Sequence, residues 1–342
     1  MAKENPLSGY GMHADLVRQN LLMVKSGAGE VRLSGIYLAA GPDCNFNCRG
    51  CFLHTPGAQN GLRLTLEEMR AAVDFARSRG GEVVVFAGKG EPVMDPSLPL
   101  ILEHITEIGM RSVVFTNGTL ITKKWSELLL TAGSVIAKRN SMNPVVQNDL
   151  AGVDGADAVM WQGVNHLLAA RDRLTQRGVR VGDVGFDSYI SRKNANDLPE
   201  VLRFCRRNAI IPYFEAFIEL GQNPEMVSHM ALSQAELTQL FLTLQKIDID
   251  EFEIETKLVS GMRTYGQPPC DKWGHMVSVT AEGRVQACIC GFEATYGSIH
   301  ENSGLSVKEN LDLVVNAANP AVAEKMRCSR CSNRINLERL VI

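Results

Sequence analysis

The chain has 342 residues, with 35 Lys and Arg against 38 Asp and Glu, a formal charge of −3. That balance argues against a nucleic acid held by bulk charge and against a polybasic membrane surface. No apolar run approaches the ~20 residues needed to cross a bilayer, and the M-A-K-E-N-P start lacks a signal-type apolar stretch, so a cytoplasmic protein is expected.

In chain order, residues 1–33 read as an extension whose helical stretch 14–24 has no assignable role. Residues 34–40, S-G-I-Y-L-A-A, read as a strand ending at Gly41 and Pro42. A helix is predicted over 64–79, with Thr65 as N-cap, Glu68 three residues on, and Gly80 and Gly81 as the stop. E-V-V-V-F-A (82–87) is a buried strand, followed by a helix over 97–109. Further strands are predicted at 111–116, 134–138, 184–190 and 210–219, and further helices at 122–132, 156–177, 196–208 and 233–247. These make six β-then-α units, which imply a parallel sheet covered by helices. Six units are fewer than a closed barrel's eight, so the expected α/β fold is a partial (β/α)6 TIM-like barrel with functional residues at the strands' C-terminal ends. After residue 250 short runs, glycines and five cysteines replace the long helices. The expected division is therefore 1–33, a barrel over 34–250, and a small cysteine-rich domain over 251–342.

Nine cysteines in a chain of this length, without a secretion signal, read as ligands or catalytic groups rather than a disulfide framework. Cys44, Cys48 and Cys51 lie in C-N-F-N-C-R-G-C, directly after the first strand. Three thiolates can hold one face of an iron–sulfur cube whose fourth iron stays open to a small molecule. A zinc site completed by His54 is the alternative. At the other end stand Cys270, Cys288, Cys290, Cys328 and Cys331, where a four-cysteine zinc ribbon is the alternative to an iron–sulfur site. Cys205 falls on the apolar face of its helix and is expected to be a core residue, with a hydrogen-donor thiol as the alternative.

C-x-x-x-C-x-x-C after the first strand of a βα array resembles the signature of the radical S-adenosylmethionine (SAM) superfamily. The resemblance implies a 4Fe–4S cluster on Cys44, Cys48 and Cys51, with the open iron chelating the methionine part of SAM. It further implies one-electron cleavage to a 5′-deoxyadenosyl radical that abstracts hydrogen from an unactivated C–H bond. The family often carries an aromatic residue just before the third cysteine; here Gly50 stands there, with Phe46 and Phe52 nearby to shield the cluster.

A-G-K-G-E-P (87–92) resembles the family's G-G-E-P, which implies methionine contacts from Gly88, Gly90 and Glu91; a tight turn is the plain alternative. T-N-G-T (116–119) resembles the segment near the adenosine, implicating Asn117, and reads equally as an Asn-Gly turn. In K-R-N-S-M-N-P (138–144), Lys138 and Asn140 occupy the places that reach the SAM carboxylate and ribose. Glu215, late in the sixth strand, points to the same rim or is a core-edge carboxylate. The C-terminal cysteines resemble the SPASM extension, or its short form Twitch. That implies one auxiliary 4Fe–4S cluster on Cys270, Cys288, Cys328 and Cys331, with Cys290 as an alternative ligand.

The expected function is an oxygen-sensitive biosynthetic radical SAM enzyme acting on a small sugar-, cyclitol- or nucleoside-like substrate. The outcome would be dehydrogenation, epimerisation, decarboxylation or carbon–carbon bond formation, with a flavodoxin- or ferredoxin-type electron donor. A peptide- or protein-modifying maturase is one alternative; a non-catalytic zinc or iron–sulfur module is the other.

Overall fold

The computed structural model describes residues 15–16, 19–20, 22, 30–39, 41–51, 61–217, 229–258, 262–267, 274–289 and 295–325. The elements in chain order are β1 (Gly35–Leu38), α1 (Leu66–Ser78), β2 (Val83–Phe86), α2 (Leu98–Glu107), β3 (Arg111–Thr116), α3 (Lys123–Ala132), β4 (Gly133–Lys138) and α4 (Pro144–Ala151). There follow α5 (Ala156–Gln176), β5 (Val184–Ile190), α6 (Leu198–Arg207), β6 (Ile211–Ala216), α7 (Gln234–Phe252), β7 (Met276–Val279), β8 (Arg284–Gln286), β9 (Thr295–Ser298) and α8 (Val307–Lys325). The fold class is the predicted α/β, with an open parallel sheet. Each of the six predicted strands is present. The short helix α4 and the strands β7–β9 were not predicted.

The chain divides into two compact units. The first comprises Met1–Asp43, Gln59–Val114 and Cys270–Ile342; the second comprises Cys44–Ala58 and Phe115–Pro269.

In the first unit β1 lies between β2 and β7, parallel to both, with Ile36 opposite Val84 and Val277. β1 and β2 are buried along their whole length, as expected of apolar runs covered on both faces. α1 begins with the predicted capping box. Thr65 Oγ1 accepts from Glu68 N at 3.2 Å, and Glu68 Oε2 accepts from Thr65 N at 2.7 Å. Its buried face is Met69, Ala72, Val73, Phe75 and Ala76. Beyond its end, Arg79 donates to Asp312 Oδ1 on α8 at 2.6 Å and holds that helix in place. The N-terminal helical stretch also acquires a role. Buried Asn20 donates to Arg32 O at 2.8 Å and Gly274 O at 2.9 Å, and accepts from Arg32 N at 3.0 Å.

In the second unit β4, β5 and β6 run parallel, with Lys138 opposite Asp187 and Tyr189 opposite Glu215. The outer edge of β6 is covered by residues 263–265. Ala216 N donates to Arg263 O at 2.7 Å, and Tyr265 N to Phe214 O at 2.8 Å, so the end of that edge is paired. Asp248 on α7 is fully buried yet fully satisfied. It accepts two bonds from Arg206 at 2.6 and 2.7 Å, one from Thr256 Oγ1 at 2.7 Å and one from Tyr265 Oη at 2.8 Å. A buried carboxylate is tolerated in this way only when paired and hydrogen-bonded. Cys205 is completely buried on the inner face of α6 beside Val201 and Leu202, as a core residue; burial pushes its thiol up, away from ionisation.

Candidate active site

Cys44, Cys48 and Cys51 lie on one loop, each half-buried. Three sets of bonds hold this loop within its unit. Asn45 donates to Thr119 Oγ1 at 2.8 Å and accepts from Asn117 Nδ2 at 2.7 Å. Arg49 N donates to Leu150 O at 3.2 Å, and its guanidinium reaches Asp149 Oδ1 at 2.7 and 2.8 Å. Cys51 N donates to Cys48 O at 3.2 Å. The T-N-G-T turn therefore exists as a turn and also braces the loop: Asn117 Oδ1 accepts from Thr119 N at 2.9 Å while its amide faces Asn45.

The end of α4 closes against the same loop. Gly152, the C-cap of α4, has φ +67, and a Cβ there would stand 2.0 Å from Asn47 O. Only glycine permits both the left-handed backbone and the approach. Gly50 is a second close approach. A Cβ at Gly50 would lie 2.6 Å from the Phe217 ring and 3.4 Å from Tyr189. The space beside the third cysteine is thus filled by a ring from just past β6, paired with Tyr189 at a centroid distance of 5.7 Å. Phe46 instead packs towards Ala151, Ala156 and Met160. Phe52 and His54 lie outside the described residues.

The donor set fits an iron–sulfur cluster. Burial and the neighbouring Cys51 and Cys44 thiols push Cys48 up to about 12 against the downward pull of the Lys138 ammonium, so the thiolates need a bound cation. Among the described residues no three His, Cys, Asp or Glu side chains converge on a single ion position. A cubane does not require that, because each thiolate takes a separate iron.

Within electrostatic reach of Cys48 in this unit lies a polar group at the ends of β4 and β5. Lys138, at the end of β4, pairs with Asp187 Oδ2 and sits 5.1 Å over the Tyr189 ring. Burial alone would pull Lys138 down; the carboxylates of Asp187 and Glu215 overcome it and hold the ammonium above its ordinary range. Burial drives the Tyr189 phenol up, so it stays protonated. Asn140 Oδ1 accepts from Tyr189 N at 3.2 Å, and Asn140 O accepts from Asn194 Nδ2 at 2.7 Å. Lys138 is thus brought within electrostatic reach of Cys48, although it and Asn140 both spend part of their bonding capacity on β5. Asp187 and Tyr189 were missed in the sequence. The available signal was an aspartate inside a fully buried strand, V-G-F-D-S-Y-I.

The A-G-K-G-E-P segment lies in the first unit. Gly88 and Gly90 have φ +105 and +83. Glu91 N donates to Asp43 O at 2.8 Å, and its buried carboxylate accepts from Val93 N at 3.1 Å, capping the turn Pro92–Met94. Lys89 lies 3.8 Å from Glu282, between β7 and β8. Of the C-terminal cysteines only Cys288 is among the described residues, half-buried near Tyr296, whose phenol is pushed up by burial and by that thiol. Cys270, Cys290, Cys328 and Cys331 lie outside them.

Residues 39–143 match the family described as the radical SAM superfamily. Among curated proteins the chain is 27% identical over 187 residues to the Fe-coproporphyrin III synthase of Methanosarcina barkeri, covering 54% of this chain and 44% of that protein. It is 26% identical to an AdoMet-dependent heme synthase of the same organism, covering 63% and 59%. To a probable GTP 3′,8-cyclase of Sulfolobus acidocaldarius it is 23% identical over 257 residues, covering 72% and 78%. The chain spans about half the length of the first two relatives. Among solved structures, Streptococcus suis SuiB bound to precursor peptide SuiA matches with TM-score 0.65 and 15% identity, over 95% of this chain and 73% of that one. An anSMEcpe structure with AdoMet and a peptide matches with TM-score 0.55 and 16% identity, over 87% and 88%. These two likenesses concern the fold. No described helix is long and apolar enough to cross a membrane.

Proposed function

We propose, from the match of residues 39–143 to the radical SAM superfamily, that the chain is a radical SAM enzyme with its partial barrel over residues 34–250, and that it abstracts hydrogen from a small polar substrate of sugar, cyclitol or nucleoside type. The observation that carries the catalytic part is the loop with three half-buried thiols and no fourth cysteine within reach in sequence. Cys44, Cys48 and Cys51 would hold the 4Fe–4S cluster. Bound there, the cluster and SAM supply a 5′-deoxyadenosyl radical for C–H abstraction. The chain's own residues bind, orient and exclude water. Asn45, Asn117 and Arg49 brace the loop. Phe217 and Tyr189 present apolar surface beside Cys51. Gly88, Gly90, Glu91, Asn117, Lys138 and Asn140 are the proposed SAM contacts. Residues 251–342 would form the auxiliary domain, with Cys270, Cys288, Cys328 and Cys331 as ligands of a second cluster and Cys290 as their alternate.

The small-molecule reading is supported by the curated relatives, whose names refer to tetrapyrrole and nucleotide chemistry. A peptide-modifying enzyme is the second reading, favoured by the fold likeness to structures that hold peptides. The test is anaerobic reconstitution followed by SAM and a strong reductant. Wild type should yield 5′-deoxyadenosine and methionine in equal amounts, and Cys48→Ala should yield neither. A reconstituted wild type that leaves SAM intact would overturn the catalytic reading.

A further inference from the structure

Beyond the end of β4 the chain follows no regular element until α4, so the backbone groups of Asn140 and Ser141 need partners from elsewhere. Two amide side chains in the same unit, both completely buried, supply them. Gln147, on α4, accepts from Asn140 N at 2.8 Å and from Ser141 N at 3.2 Å. Asn194, past the end of β5, donates through Nδ2 to Asn140 O at 2.7 Å and to Tyr189 O at 2.9 Å. Its own oxygen accepts from Ser191 N at 2.8 Å and Ser191 Oγ at 2.9 Å, which fixes its orientation. Tyr189 N in turn donates to Asn140 Oδ1 at 3.2 Å. Asn140 is thereby gripped at its N–H, its carbonyl and its side-chain oxygen, from three different parts of the unit. Only its amide nitrogen is left over. Nδ2 makes no bond among the described residues, yet it is not one of the polar atoms sealed from solvent. The amide has a single orientation, because a flip would set its donors against the Tyr189 N–H. What remains is a fixed pair of N–H donors at the C-terminal end of a parallel strand, where such folds hold their ligands.

We propose that Gln147 and Asn194 are positioning residues of the SAM site: by locking Asn140 they present its amide nitrogen, as a donor, to an oxygen of the cofactor's ribose. The inference rests on Asn140 being the SAM contact proposed above. Gln147 and Asn194 act through Asn140 alone and touch no ligand themselves. The gain is preorganisation, since a donor that is already aimed loses no rotamer freedom when the ligand arrives. The cost is two fully buried amides, tolerated because each is hydrogen-bonded. A connecting segment with nothing to position could satisfy the same backbone groups with water at the surface.

The test is a pair of double-mutant cycles on SAM affinity, measured by anaerobic equilibrium dialysis with the full, cluster-loaded chain. Asn140→Ala should weaken SAM binding about tenfold, the worth of one well-placed hydrogen bond. Gln147→Leu and Asn194→Ala should each weaken it by about three- to tenfold. In the Asn140→Ala background neither should weaken it further, because nothing is left to position. Both substitutions leave buried backbone groups unpaired and lower the melting temperature whatever their role, so the coupling in affinity is what separates positioning from plain support of the fold. Additive losses, about thirtyfold or more in the double variants, would overturn the proposal. So would Asn140→Ala binding SAM as tightly as wild type, or unchanged affinity in Gln147→Leu and Asn194→Ala. The two cycles are independent, and the Asn194 cycle decides if Gln147→Leu does not fold. SAM binding by wild type is read first. Its absence would fell the cofactor reading and this inference with it, whereas binding with additive losses would fell this inference alone.

Discussion

Gly152→Ala is expected to strip iron from the cysteine loop and to cost about 2–5 kcal/mol of stability. Two causes add. The residue has φ +67, where a Cβ costs about 1–2 kcal/mol. A Cβ there would also lie 2.0 Å from Asn47 O and 2.8 Å from its carbonyl carbon. Both neighbours are backbone, so relief requires moving the segment between Cys44 and Cys48. Gly155→Ala is the matched comparison. It has φ +73 but nothing within 4 Å of its Cβ, so only the conformational cost applies. Anaerobic iron determination and denaturant midpoints on both variants check this. Equal midpoints and full iron in Gly152→Ala would show that the α4 end does not set the loop.

The second large effect concerns Arg139, completely buried and paired with Asp157 at the start of α5. Its guanidinium lies 4.0 Å from the Trp161 ring centroid. Asp157→Ala leaves that cation buried without its counter-charge, at a cost of about 3–5 kcal/mol. Arg139→Met removes the charge and keeps most of the volume. It leaves only Asp157, which is 14% exposed and stands in the first turn of a helix, where a carboxylate is favoured. The expected cost is about 1–2 kcal/mol. Urea midpoints should rank Asp157→Ala well below Arg139→Met. The reverse order would mean that the pair is not coupled as drawn. The pair matters for the site because Arg139 separates Lys138 from Asn140. Anchored to the helix layer, it keeps Lys138 on the opposite side with Asp187 and Tyr189.

The alternating strands and helices were legible because each carries its own local signal. The run V-V-V-F of β2 is apolar on both faces, and Thr65 with Glu68 marks the start of α1. Helix α4 carried signals too: Asn143 caps it by accepting from Val145 N at 2.9 Å, Pro144 opens it and Gly152 closes it. Eight residues nevertheless give too few turns for a periodic pattern to stand out from a loop. β7 to β9 have three or four residues each, below the length at which alternation can be read.

At the site the division is similar. Three cysteines at fixed spacing are visible in one dimension. That Phe217 fills the space at Gly50 is not, because those residues are far apart in the chain and meet only through the sheet. The same holds for Lys138 and Asp187, whose pairing follows from a register no local pattern specifies. Asn117 was legible as a turn residue; its bond to Asn45 was not.

The central claim is that Cys44, Cys48 and Cys51 hold an iron–sulfur cluster with an open iron. It is tested most directly by iron and sulfide content after anaerobic reconstitution of wild type and the Cys44/Cys48/Cys51 triple alanine variant. About eight irons per chain are expected in wild type, falling to about four in the variant. The same iron content in both proteins would contradict it, because the loop would then hold no cluster.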